Sequence, residues 1–414
     1  MAARNPIDPV RIYVLWHEEC REGRELAQAV YRWFRGSPDD LGEAGYGIPV
    51  HYRSQPLPGR GNGPLPIDPH ASDITIVVPL VDEHMVTDGA WRRYLQELYP
   101  ANPKQPPYPI YPVVLHPAAY QLPDRLAGLN FIRLDRPGDA RSGWRVAVSP
   151  QRRQRLLSLL TQACCRVLQA HAPGAPRTGL LPVTADEAGL PVRVFLSHAK
   201  ADGVEIATRL RDGLLHHGQL QVFFDESDLP FGHGYTQRLD DAASAGGTST
   251  SAMIAVYTDA YAGRPWCQRE LRGARTPVRL DGEDGCRWYH KPLLVVDQLE
   301  GERTRFLGEI GQAPVIRWNP QRVGETIDLL LREILWSLYH RHWASRLRLP
   351  EGSHAFCGAL DLHVAMRIRR HAGDALRRIL VPPPGPAAFE RLWLTDLLDG
   401  VAVAGFDELE RGMR

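Results

Sequence analysis

The sequence predicts an α/β protein built from two tandem doubly wound parallel sheets of five strands each, and three observations carry that prediction. Short β-branched runs alternate with amphipathic stretches along the first 170 residues, and the pattern then repeats. The runs are unbroken rather than alternating, which suits strands buried on both faces and hence a parallel sheet. A Pro/Gly-rich passage, Ala172-Pro-Gly-Ala-Pro to Gly189-Leu-Pro191, separates the two copies. Right-handed crossovers close such a pattern into a flavodoxin-like sheet. Two unrelated α/β domains of generic pattern would produce a similar alternation, so the repeat is an expectation for the structure to answer.

The first domain is expected over 1–171. Its strands fall at 11–16, 48–52, 73–80, 111–115 and 130–134. A helix is expected over 21–34, where Leu26, Val30 and Trp33 recur at helical spacing. Another spans 151–168, with Leu156, Leu157, Leu160, Cys164 and Val167 on one face. Residues 172–190 read as a linker. The second domain, 191–345, has strands expected at 192–197, 220–225, 251–257, 292–297 and 314–318. Its helices are expected over 202–216, 234–243, 266–274 and 322–345. The last of these must stop before Pro350, because the residue ahead of a proline is pushed out of helical geometry. Residues 346–414 then form a small C-terminal accessory element. It carries an Arg-rich helix over 363–380 and a strand at 378–381, stopped by Pro382-Pro383-Pro384.

A chain of 414 residues is too long for one ordinary domain. With 43% hydrophobic and 23% charged residues the composition is globular, and a net charge of +1 gives no argument for nucleic acid or an anionic membrane as partner. Met1-Ala-Ala-Arg-Asn-Pro6 has no apolar core of a signal peptide, and the longest apolar runs are strand-sized. The six cysteines show neither CxxC nor Cys/His ligand spacing, which suits free thiols in a reducing cytosol; a cytoplasmic protein without a metal is expected. No G-x-G-x-x-G follows either first strand and no G-x-x-x-x-G-K-[ST] occurs, which argues against a Rossmann dinucleotide carrier and a P-loop enzyme.

Two short stretches carry the chemistry. Val194-Phe-Leu-Ser-His198 is an apolar strand ending abruptly in polar residues, and in an open α/β sheet strand C-termini line the ligand crevice. Trp266-Cys-Gln-Arg-Glu-Leu271 is a helix start that sets one carboxylate a turn from an indole. A lone glutamate held at such a crevice suits chemistry on a sugar. Taken alone, Glu270 reads first as a solvated first-turn glutamate favoured by the helix dipole, and only the surrounding motifs turn the reading toward catalysis.

With their neighbours, these motifs resemble a TIR (Toll/interleukin-1 receptor) domain in its bacterial form, over about residues 191–318. Val194–His198 is similar to the first-strand signature, followed by Asp202 at the first helix. Val222-Phe-Phe-Asp225 and Leu229-Pro-Phe-Gly232 are similar to the second strand and the BB loop. Met253-Ile-Ala-Val-Tyr-Thr258, Tyr261 and Trp266–Leu271 are similar to the third strand and the helix after it. The family has two branches, one of assembling interaction modules and one that cleaves the nicotinamide–ribose bond of NAD+. In the second branch the glutamate four residues after the tryptophan is catalytic, and Glu270 occupies that position.

The resemblance therefore implies an NAD+ glycohydrolase in antiviral or stress defence, releasing nicotinamide and linear or cyclic ADP-ribose, with NAD+ as substrate and no cofactor or metal. Its alternative is a non-enzymatic scaffold that signals by self-association. A nucleotide-sensing flavodoxin-like domain without catalysis is a third reading. Nicotinamide in NAD+ is already a cationic leaving group, so no general acid is needed, and a carboxylate near the ribose stabilises an oxocarbenium-like transition state.

Phe195, Ser197, His198, Asp225, Phe231, Tyr235 and Trp266 are the implied substrate-binding residues. Ser197 and His198 either contact the ribose or diphosphate or cap the following helix. Asp225 shapes the pocket or begins a turn. Phe231 and Tyr235 stack on a ring of the substrate or pack locally. Trp266 reads as a packing residue that orients its helix, and Cys267 as a small buried hydrophobe. In enzymatic members a neighbouring subunit's BB loop helps close the site, so self-association into an oligomer or filament is implied.

The first copy resembles the same family in degenerate form. Asp88-Gly-Ala-Trp91 lies over Trp266, but Leu95 stands four residues on, and Glu97 falls on another helix face. Trp16-His17-Glu18-Glu19 ends its first strand, and the Pro/Gly stretch 55–69 replaces a compact BB loop. This copy is expected to be catalytically silent and to offer a surface to a regulatory partner protein.

Overall fold

The computed structural model describes residues 8–36, 47–57, 63–68, 71–98, 108–122, 131–134, 148–171, 192–215, 220–223, 251–301, 310–311, 313–383 and 385–412. They form two compact units, divided near residue 171. The expected linker, the helix over 234–243 and the BB loop lie outside the described residues.

In the first unit, β1 (Asp8–Leu15), α1 (Arg21–Arg35), β2 (Val50–Arg53), β3 (Ser72–Val81), α2 (Glu83–Thr87), α3 (Gly89–Leu98), β4 (Val113–Val114), β5 (Ile132–Arg133) and α4 (Pro150–Ala170) follow in chain order. The sheet order is β2-β1-β3-β4-β5, all parallel. The chain steps from β1 to β2 on one side and returns to β3 on the other, which is the doubly wound arrangement. Nine of the ten residues of β3 are buried, as strands covered on both faces require. On α1, Leu26, Ala27, Val30 and Phe34 are buried. Trp33 is half-buried, and its indole N–H donates to Thr161 Oγ1 at 2.9 Å. Both short helices after β3 begin at aspartates whose side chains accept from the first turn, Asp82 from Met85 N at 3.0 Å and Asp88 from Ala90 N at 2.6 Å.

The second unit runs β6 (Val192–His198), α5 (Val204–Leu215), β7 (Leu220–Phe223), β8 (Ser251–Thr258), α6 (Pro265–Arg275), β9 (Val278–Gly282), β10 (Gly285–Tyr289), β11 (Leu293–Gln298), β12 (Val315–Arg317) and α7 (Val323–Arg346). Its main sheet is again fully parallel, in the order β7-β6-β8-β11-β12. The two units thus share one strand order, and the flavodoxin-like expectation holds for both.

A third sheet is where the structure goes beyond the sequence pattern. β13 (Ser353–Phe356), α8 (Leu362–Ala372), β14 (Arg378–Val381), α9 (Ala388–Leu397), β15 (Ala402–Gly405) and α10 (Phe406–Gly412) complete the chain. The strands stand in the order β15-β14-β13-β10-β9. Two of them therefore come from a β9–β10 hairpin inside the 191–345 span, inserted between α6 and β11. The helix expected over 363–380 ends at Ala372. Gly373 takes φ +61 there, and its N–H turns back to Arg369 O. Trp288, Phe356, Val364, Ile368 and Ile379 fill the core beneath this sheet. Among the described residues, no helix is long and apolar enough to cross a membrane.

Candidate active site

In the second unit the strand order reverses between β6 and β8, and ligands of doubly wound sheets bind outside the strand C-termini at such a switch point. β6 ends there in Ser197 and His198, paired in register with Ala255 and Val256 of β8. The loops leaving the strands are tied together by aspartates. Asp202 does not cap α5. Its Oδ1 accepts from Thr258 Oγ1 at 2.6 Å and its Oδ2 from Ala260 N at 2.9 Å, joining the exits of β6 and β8. Asp259 accepts from Gly301 N at 3.2 Å, which brings in the exit of β11. Gly203 allows α5 to start hard against the strand end, since a Cβ there would lie 3.1 Å from both Ala199 O and His198 Cβ.

α6 follows β8 and begins at Pro265, whose missing N–H is no loss at a first helical position. Its buried residues are Cys267, Glu270, Leu271 and Ala274, a stripe at helical spacing. Glu270 therefore lies on the face that packs on the sheet, where an aliphatic side chain is usual. It is 6% exposed and sits past the first turn, so a solvated, dipole-favoured glutamate does not describe it.

A buried carboxylate is costly unless hydrogen-bonded. Ser197 Oγ donates to Glu270 Oε2 at 2.6 Å, and Ser197 Oγ lies 2.8 Å from the Tyr261 hydroxyl. Since a serine hydroxyl has one proton, Tyr261 must donate to Ser197, giving a directed chain from Tyr261 through Ser197 to Glu270. Burial raises the Tyr261 phenol well above its ordinary range, against a lowering by its Ser197 hydrogen bond, so it stays protonated as the donor. The Cys267 thiol is pushed up to about 11, first by burial and then by the charge of Glu270. Its sulfur lies 3.6 Å from His198 O, so Cys267 behaves as the expected small buried side chain rather than a nucleophile.

The structure brings Ser197 into contact with Glu270, sets His198 next to it at the end of β6, and sends Phe195 elsewhere. Phe195 is 8% exposed and packs in the core with Met253, Tyr257, Tyr261 and Leu271, supporting the sheet rather than lining the crevice. Trp266 is 45% exposed, so it does not orient α6 by core packing; the Arg269 guanidinium lies over its ring at 5.6 Å. It stands at the outer end of α6 as an open aromatic face. Asp225, Phe231 and Tyr235 lie outside the described residues. Tyr261 belongs to the site although the sequence singled it out only as part of a motif, and Asp202 serves as a loop tie. In the first unit, Trp91 and Leu95 are buried in the core and Glu97 is exposed.

The second unit is thus a parallel α/β domain with a buried, hydrogen-bonded carboxylate at its switch point. Residues 194–304 match the family model described as the TIR domain, a stretch that contains β6 from Val194 on, β8, α6 and every site contact given above. No curated protein and no solved structure matches the chain.

Proposed function

We propose that the second unit is an NAD+ glycohydrolase, with Glu270 as its catalytic carboxylate. The observation that carries this reading is the Glu270 carboxylate itself, buried at the switch point of the sheet and held by Ser197. The C1′–N bond of the nicotinamide riboside breaks with its electron pair leaving on nicotinamide, which departs neutral. Positive charge develops on the ribose, where the Glu270 anion stabilises it. Water then adds at C1′ and loses a proton, giving ADP-ribose; attack by a nitrogen of the adenine instead gives a cyclic product. Ser197 and Tyr261 act as positioning residues that fix the carboxylate, as preorganised electrostatics requires. His198 and Trp266 are the residues placed to meet substrate from the strand end and the helix end. Phe231, Tyr235 and Asp225 complete the proposed set.

Self-association through the 226–235 loop, a silent regulatory first unit that meets a partner protein, a role in defence and a cytoplasmic setting belong to the same proposal. The competing reading is a scaffold in which Glu270 is only a hydrogen-bonded tie between α6 and β6. Incubating the protein with NAD+ and analysing products by mass spectrometry separates the two: free nicotinamide with ADP-ribose or its cyclic form supports the enzyme, and intact NAD+ at high protein concentration supports the scaffold.

A further inference from the structure

The first unit holds a cluster that the function proposed above does not use. Its sheet reverses order between β1 and β3, so its own switch point lies where β1 and β3 end. His17 and Glu19 follow β1, and His84 lies in α2 directly after β3. One ligating atom from each of His17, Glu19 and His84 lies within 4.8 Å of the other two. Leu95, at the position matching Glu270, is buried in the core, and Trp91 lies against the His17 ring with centroids 5.9 Å apart. The first unit's switch point therefore carries two imidazoles and a carboxylate where the second unit's carries the Glu270 carboxylate.

We propose that His17, Glu19 and His84 form a binding site for a divalent transition-metal ion of the zinc type. Two nitrogens and one oxygen are the donor set that such borderline cations take, with a further position left for water or an anionic ligand. His17 is the fixed member: it is 8% exposed, and its ring lies near-parallel to that of His84, with centroids 5.5 Å apart. His17 Nε2 faces Asp88 Oδ2 at 3.7 Å, and Asp88 is itself held by Ala90 N and Trp91 N.

In the tautomer that donates Nε2–H toward Asp88, the Nδ1 lone pair of His17 is left to the ion. With that 3.7 Å contact shortened to a hydrogen bond, this becomes the carboxylate–histidine–metal arrangement in which a second carboxylate orients the ligand. Among the described residues, the one hydrogen bond that Nδ1 accepts is long, 3.3 Å from Glu19 N, and an ion displaces it at small cost. His84 Nδ1 and Glu19 Oε2 face each other at 3.2 Å, and both side chains are more exposed than His17. Ligand bonds of about 2.0–2.2 Å place neighbouring donors about 3.4 Å apart around a tetrahedral ion, so from separations within 4.8 Å these two side chains close by up to about 1.4 Å onto the anchored histidine. As an exposed ion pair without a metal, Glu19 and His84 would contribute almost nothing, and the stacked imidazoles would gain no partner from it.

The test uses the full chain without an affinity tag, dialysed against zinc chloride and then metal-free buffer, with retained zinc measured by mass spectrometry. The wild type is expected to retain one zinc per chain, and His84→Ala and Glu19→Gln to bind at least about tenfold more weakly. These two positions are on the more exposed side of the cluster, and matching thermal melts of the metal-free proteins establish that each variant folds. Asp88→Asn, in which the ligands stay, is expected to weaken binding by a smaller factor. Cobalt substitution reads the donor set, since a His/carboxylate site gives visible bands without a thiolate charge-transfer band. Zinc retained equally by His84→Ala and Glu19→Gln, a thiolate band in the cobalt protein, or no zinc retained by the wild type would each overturn the proposal.

Discussion

Replacing Ser197 by alanine removes a single oxygen that serves two buried partners, and its effect follows from the geometry. Ser197 is 1% exposed, Tyr261 0% and Glu270 6%, so water does not easily replace the lost group. The substitution takes a donor at 2.6 Å from the carboxylate and an acceptor at 2.8 Å from the phenol. A hydrogen bond to a charged group contributes about 1.5–3 kcal/mol, and a buried hydroxyl left unpaired costs about 1–3 kcal/mol. The two losses share one atom and do not add, so about 3 kcal/mol is expected for the pair. For a unit of this size that corresponds to a fall in Tm of about 6–12 °C. Tyr261→Phe breaks only one end of the chain and is expected to cost about 1 kcal/mol. Urea unfolding followed by tryptophan fluorescence measures both, read from the midpoint at constant slope. A Ser197→Ala loss below about 0.5 kcal/mol, the size of an ordinary surface substitution, would refute the directed chain.

Acid should weaken the second unit well above the range where carboxylates titrate. Burial lowers His290 and His340 to about 3 and His342 to about 4, so these imidazoles fold neutral and must be charged on unfolding. Their folded values lie below the unfolded value, so the stability they contribute is full above pH ~6.5 and falls as pH drops toward the folded values, about 2 kcal/mol each by pH 5. Glu333, raised to about 7 by burial, works in the opposite sense by taking up a proton in the folded state over the same window. The unfolded state should therefore bind about two more protons than the folded state near pH 5, and a pH series of denaturation midpoints with a flat response between pH 7 and 5 would contradict this. Glu97→Gln in the first unit should leave any NAD+ cleavage unchanged, because Glu97 is exposed on α3 while the position matching Glu270 is Leu95; a silenced protein with Glu270 intact would end the reading of a silent first copy. Turnover per subunit should fall on dilution and on Phe231→Asp, with light scattering showing the matching loss of oligomer; constant turnover from a protein monomeric throughout would defeat self-association.

The β/α alternation was legible because strands buried on both faces leave unbroken apolar runs, as in β3 and β11. The third sheet was not. β9 reads Val278-Arg-Leu-Asp-Gly282, with the alternation of an edge strand too short to stand out, and the strand that joins its hairpin mate β10 to the rest of the sheet, β13, comes from the far end of the chain. The helix expected over 363–380 overran because Arg-rich periodicity continues past Gly373, whose left-handed backbone ends it. Glu270 was visible through its motif, but its burial was not: only packing of α6 on the sheet turns a first-turn reading into a carboxylate beneath the helix. Trp266 shows the converse, an indole that periodicity assigns to packing and that stands open beside Arg269. The His17, Glu19 and His84 cluster left no spacing signal, because the fold joins the exits of two strands distant in sequence.

The central claim is that the Glu270 carboxylate performs chemistry rather than only tying α6 to β6. Glutamine at this position keeps the size and an oxygen acceptor for Ser197 while removing the charge, so the tie survives and the electrostatic contribution does not. Nicotinamide release from NAD+, followed by mass spectrometry for wild type and Glu270→Gln at equal concentration and with matched unfolding midpoints, measures that difference directly. The account predicts release by the wild type and a loss of about 10²-fold or more in the variant. Retention of more than about a tenth of wild-type turnover by a folded Glu270→Gln protein would contradict it.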